Sequence, residues 1–145
     1  MTRILVVNDT QELLEMFRML LETEGYDVVL SGMPILKVSE VEQIQPALII
    51  LDLIFGDQKT GWQMLQMLKM QRTTMHIPVI ICTAALREVQ EQEGYLVAQG
   101  VRVIYKPFDI DDLLTMINRA LIDHQKSTHT KDKPQCSYLD EQSES

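Results

Sequence analysis

Five short runs rich in Val and Ile, each followed by a stretch with helical spacing, constrain this chain more than anything else in it. The runs cover residues 4–7, 27–30, 47–51, 78–82 and 101–105. The first, third and fourth are almost continuously apolar. A β-branched run without polar alternation suits a parallel strand covered on both faces. The second and fifth are less uniform, the pattern of strands nearer a sheet edge. Leu13, Phe17, Leu20, Leu21 and Glu24 recur at helical spacing, and Gly25 supplies a stop. Pro34 opens a second helical segment over 34–44 that carries Ile35, Leu36, Val38, Val41 and Ile44. A third, over 61–71, carries Trp62, Leu65, Leu68 and Lys69. A fourth, over 86–98, carries Leu86, Val89, Gln90, Tyr95, Leu96 and Val97 ahead of Gly100. The fifth, over 110–122, carries Leu113, Leu114, Ile117, Leu121 and Ile122 and follows Asp109 as a capping residue. Strict alternation of the two kinds of segment predicts an α/β fold: a doubly wound sandwich with a five-stranded parallel sheet, joined by right-handed crossovers.

The chain has 145 residues, which fits one domain over 1–123. Residues 124–145 are polar and poor in aliphatic side chains, and are expected to be a disordered tail. The net charge is −8 and the pI about 4.8, which argues against direct nucleic-acid binding, since phosphate contacts need clustered Lys and Arg. Cys82 lies in an apolar run and Cys136 in the polar tail, so there is no disulfide framework and a reducing compartment is expected. The first apolar run is too short for a signal peptide or a membrane span. The expectation is a soluble, cytoplasmic protein with no membrane insertion.

In an open parallel sheet, chemistry collects beyond the carboxyl ends of the strands. Strand one delivers Asn8 and Asp9 there, strand three Asp52, strand four Thr83 and Ala84, and strand five Lys106, Pro107 and Phe108. Taken singly, each has a plain reading as a turn residue, a helix cap or a solvated charge. Taken together, two carboxylates, a hydroxyl and an ammonium converge on one edge.

That set, in the segments ILVVND, ALIILDL, PVIICTA and VIYKPF, resembles the receiver domain of bacterial two-component response regulators, over roughly residues 2–123. The resemblance implies a flavodoxin-like (βα)5 fold and a place in phosphorelay signal transduction. It implies a signalling domain, not an enzyme acting on other substrates, that catalyses its own phosphorylation and dephosphorylation. Asp52 would be the phosphorylated nucleophile, taking its phosphoryl group from a sensor histidine kinase, a phosphotransfer protein or a small phosphodonor. Asp9, Asp52 and the backbone carbonyl of Ile54 would hold Mg²⁺, with Asn8 reaching it through a bound water. Lys106 would pair with a phosphoryl oxygen, and Thr83 would hydrogen-bond another and shift the following loop. Ala84 would leave room for the group to enter. The bond before Pro107 would be cis and would aim Lys106.

Four departures from the family pattern qualify these expectations. Asn8 stands where receivers usually carry an acid, so Mg²⁺ binding is expected to be weaker. The loop from Leu53 to Trp62 lacks the usual proline, is one residue longer, and adds Asp57 as a further acid. Val103 replaces the usual aromatic switch residue, with Tyr105 on the same strand face but at a different height. Ile54 and Ala85 occupy the positions that influence the attacking water, and neither can hydrogen-bond through its side chain, which predicts slow autodephosphorylation.

With no output domain expected after residue 123, the reading is a stand-alone module. It would signal by docking to an unknown protein, through the face formed by the fourth helix, fifth strand and fifth helix. The alternative is a pseudo-receiver, a phosphorylation-independent interaction module on the same fold. A nucleotide-binding enzyme fits poorly, because the acidic turn after strand one has no glycine.

Overall fold

A computed structural model describes residues 1–55 and 58–132, with side chains as far as His124. The elements run β1 (Arg3–Val7), α1 (Gln11–Thr23), β2 (Asp27–Ser31), α2 (Val38–Ile44), β3 (Leu48–Leu51), α3 (Thr60–Met70), β4 (Val79–Thr83), α4 (Leu86–Glu91), α5 (Glu93–Ala98), β5 (Arg102–Tyr105) and α6 (Ile110–Asp132). The strands form one parallel sheet in the order β2-β1-β3-β4-β5. The two less uniform apolar runs are the two edges, as expected. The order reverses between β1 and β3, so their carboxyl ends flank the switch point of the sheet.

Continuous apolar strands are needed because each central strand feeds two layers. Leu5, Val7, Ile49, Leu51, Val79 and Ile81 pack against Val41, Leu65, Leu68, Val89 and Leu96, the side of α2 to α5. Ile4, Val6, Leu48, Ile50, Ile80 and Cys82 pack against Leu14, Phe17, Leu21, Leu113 and Ile117, the side of α1 and α6. Neighbours in sequence thus point to opposite helices, and the polar positions Arg3 and Thr83 stand only at strand ends. Among the described residues, no helix is long and apolar enough to cross a membrane.

Three element boundaries differ from the sequence expectation. The second helix begins at Val38, not at Pro34. Residues 34–37 are irregular because Ile35 is drawn into the core, where its N–H meets Met64 Sδ at 3.3 Å. The fourth helical segment is two helices, broken at Gln92 (φ −110°, ψ 16°). Gln92 N–H bonds back to Val89 O, the tighter three-residue step, and Gly94, a weak helix former, sits at the restart. The last helix continues through residues 124–132, which carry no Gly or Pro; the next proline is Pro134. The remainder of the polar tail, with Cys136, lies outside the described residues, as does Asp57.

Two expected punctuators do their work. Gly25 adopts φ +90° just after α1, and Asp109 caps α6 by accepting the Asp111 N–H at 2.7 Å. Buried Cys82 has its thiol pushed up to about 12, first by burial and then by Asp52, with Lys106 opposing. It holds no useful thiolate fraction at neutral pH. In a Cys136→Ser variant, a thiol-reactive probe at pH 8 is expected to label nothing until the protein is unfolded; prompt labelling of the native state would show the thiol to be accessible.

Candidate functional site

The switch point sets the geometry. Val7 and Leu51 are register partners, and the Asp52 N–H donates to Val7 O at 3.1 Å, so the residues that leave β1 and β3 start side by side. Asp52 is 5% exposed. Both of its carboxylate oxygens are engaged: Oδ2 accepts from Lys106 Nζ at 2.8 Å and Oδ1 from the Ile54 N–H at 3.3 Å. Burial of this carboxylate is sustained by that ammonium and amide, since an unpaired buried charge would be costly.

Lys106 is brought to Asp52 from the end of β5. Its N–H donates to Thr83 O at 3.0 Å, extending the ladder between β4 and β5 by one step. The Lys106–Pro107 bond is cis. Phe108 stacks on Phe17 of α1, with ring centroids 6.0 Å apart, and ties down the segment that carries the lysine. Thr83 is buried at the end of β4, and its Oγ1 accepts the Ala85 N–H at 3.1 Å. The hydroxyl hydrogen is therefore left to donate elsewhere.

Asp52, Ile54, Thr83, Ala84, Ala85, Glu88 and Lys106 line one cavity of about 460 Å³. Two carboxylates and one ammonium thus border it. The structure brings Asp52, Ile54, Thr83, Ala84 and Lys106 together. Glu88 is a lining residue that sequence reasoning missed; the signal was its place one helical turn beyond Ala85 in α4. Val103 is not in the cavity. It packs, partly buried, against the α2-to-α5 layer, while Tyr105 is 37% exposed.

The end of β1 forms the other flank. Asp9 is exposed, and its Oδ1 accepts from the Thr10 hydroxyl at 3.4 Å. Asn8 is 1% exposed, and its Oδ1 accepts the Thr10 N–H at 2.9 Å, a side-chain turn that starts α1. Its Nδ2 is buried and has no hydrogen-bond partner among the described residues. Such an orphaned donor costs about 1–3 kcal/mol. Among the described residues, no three His, Cys, Asp or Glu side chains come together as a metal cluster. Two carboxylates, Asp9 and Asp52, and the Ile54 carbonyl suit a hard cation that takes few protein ligands and keeps several waters.

Gly61, the second residue of α3, presses against this loop. A Cβ there would lie 2.1 Å from the Asp52 carbonyl oxygen and 2.6 Å from Leu53 Cα. Its N–H donates to Leu53 O at 3.1 Å. Helix α3 thus holds the loop after β3 through backbone contact that only glycine permits.

Residues 4–118 match the family described as the response regulator receiver domain. The chain is 32% identical over 122 residues to the DNA-binding dual master transcriptional regulator RpaA of Synechocystis sp., covering 84% of this chain and 49% of that protein. It is 29% identical over 119 residues to the DNA-binding response regulator MtrA of Mycobacterium tuberculosis, covering 82% and 50%. The chain therefore spans about half the length of these curated relatives. A CheY-like receiver domain protein from Methanospirillum hungatei superposes with a TM-score of 0.72 at 25% identity, covering 88% of this chain and 98% of that one. The receiver domain of a LuxO repressor protein from Vibrio parahaemolyticus also gives 0.72, at 23% identity, covering 91% and 98%; it shows the fold alone. Sheet order, layer arrangement and family match agree: this chain belongs to the receiver domains of response regulators, signalling modules of two-component phosphorelays, on a flavodoxin-like fold.

Proposed function

We propose that the protein accepts a phosphoryl group on Asp52 from a sensor histidine kinase, a phosphotransfer protein or a small phosphodonor. The observation that carries this is a single one. A buried carboxylate at a strand end shares a cavity with a lysine bonded to it at 2.8 Å and with a hydroxyl that still has a proton to donate.

An Asp52 carboxylate oxygen bonds to phosphorus as the bond from phosphorus to the donor's histidine nitrogen or acyl oxygen breaks, and the donor leaves with the bonding pair. Lys106 then turns from the carboxylate to a phosphoryl oxygen, the stronger acceptor. The Thr83 hydroxyl donates to another, which draws on the Ala85 amide it now holds and so on the start of α4. Ala84 presents only a methyl group and leaves the entry open. Asp9, Asp52 and the Ile54 carbonyl would hold Mg²⁺, which supplies positive charge to the transferring group. Its affinity is below that of a site with a second acid, because Asn8 brings no charge and its carbonyl oxygen already serves Thr10.

The phosphorylated form is long-lived, since Ile54 and Ala85 line the cavity without orienting water. The output is contact with another protein. A net charge of −8 supports this over nucleic-acid binding by this region. The orphaned Asn8 amide and the absence of an aromatic switch at Val103 favour a second reading, a phosphorylation-independent interaction module. Intact-mass measurement after incubation with acetyl phosphate and Mg²⁺ separates the two. One phosphoryl adduct is expected in the wild type and none in Asp52→Ala; an unmodified wild type supports the second reading.

A further inference from the structure

We propose that Glu88 positions and deprotonates the water that releases the phosphoryl group from Asp52. This inference rests on the phosphoacceptor reading above and deepens it. A water about to attack phosphorus needs an acceptor for its proton. Around the cavity, Ile54, Ala84 and Ala85 offer hydrocarbon side chains, Lys106 can only donate, and the Thr83 oxygen already accepts the Ala85 amide. Asp52 is the leaving group. Among the described residues, Glu88 is the remaining carboxylate on the lining.

Its position suits the step. Asp52 forms the buried floor, whereas Glu88 is partly exposed in the first turn of α4. Glu88 also lines the adjoining groove with Trp62 and Tyr95, so it stands in the outer wall, between the cavity and solvent. No described residue engages its carboxylate. In-line displacement requires the nucleophile to enter from the side away from the Asp52 oxygen, and on this proposal Glu88 stands at that entry.

The water oxygen bonds to phosphorus as the bond from phosphorus to the Asp52 oxygen breaks. The bonding pair returns to Asp52 as carboxylate. The water proton passes to Glu88 and from there to solvent, leaving inorganic phosphate. The reaction is slow because only one group assists it, and what hydrolysis remains runs through Glu88. Phosphoryl uptake involves no water and is independent of this residue.

Wild type, E88A, E88Q and E88D are loaded with acetyl phosphate in Mg²⁺, freed of donor, and followed by intact mass for both uptake and decay. Uptake is expected to stay within about twofold in all four, decay to slow about tenfold or more in E88A and E88Q, and E88D to recover part of the rate. Unchanged decay in E88A overturns the proposal while leaving phosphorylation of Asp52 intact. Uptake that accelerates as much as decay slows identifies charge repulsion as the role of Glu88 and also overturns it. A wild type that takes up no phosphoryl group overturns the phosphoacceptor reading, and this inference with it.

Discussion

Gly61→Ala is expected to lower stability by about 3 kcal/mol and to abolish phosphoryl uptake by Asp52, although the residue lies outside the cavity. The reason is a distance. An added Cβ would sit 2.1 Å from the Asp52 carbonyl oxygen, 2.6 Å from Leu53 Cα and 2.7 Å from Leu53 C. All three obstacles are backbone atoms, so no rotamer change relieves the clash. Either α3 backs away, opening the core around buried Met64, Leu65 and Leu68, or the 52–53 segment moves. The second course carries the Asp52 carboxylate off Lys106 Nζ and the Ile54 N–H. Urea unfolding gives the stability term and intact mass the functional one. A fully stable, fully phosphorylatable Gly61→Ala protein would contradict the described approach of α3 to the loop.

The second large effect is an asymmetry between the partners of one ion pair. Lys106→Met strands the Asp52 carboxylate, whose side chain is 6% exposed, with the Ile54 amide as its sole described partner. Removing one member of a buried pair costs about 3–5 kcal/mol; the cavity opens to solvent, so about 3 kcal/mol is expected. Asp52→Asn removes the other member, but the Lys106 side chain is 23% exposed and can swing its ammonium into water. That variant is expected to stay within about 1 kcal/mol of wild type. Chemical denaturation of both variants at neutral pH decides the matter. Equal losses, or a larger loss in Asp52→Asn, would mean that burial does not govern the pair.

Much of the layer structure was legible because its physics is local. Val- and Ile-rich runs report strands covered on both faces, and the less uniform runs over 27–30 and 101–105 turned out to be the edges. The strand ends announced Asp52, Thr83 and Lys106, since topology alone places them on one rim. What escaped depended on contacts between residues far apart in sequence. Ile35 lies at helical spacing with Val38, yet it leaves the helix because the α3 layer offers it a buried place beside Met64. The break at Gln92 arises in a sequence that still carries apolar residues at helical intervals. Glu88 reads as an ordinary solvated helix acid until α4 is laid beside the end of β3. The close approach of Gly61 and the stacking of Phe108 on Phe17 leave no trace in periodicity at all.

Because successive residues of β1, β3 and β4 feed opposite layers, the chain tolerates length changes very unevenly. Inserting or deleting one residue within β3 would exchange the two sets of side chains and turn Asp52 toward the wrong helices, so strand length can change only in pairs of residues. Between Asp52 and α3 no such parity applies. Reciprocal Phe55 and Gln58 backbone hydrogen bonds anchor the two sides of that segment outside the sheet. A change of length in that segment would leave every strand residue on its own face of the sheet, so the rim beside Asp52 is where the chain can be lengthened without turning its core inside out.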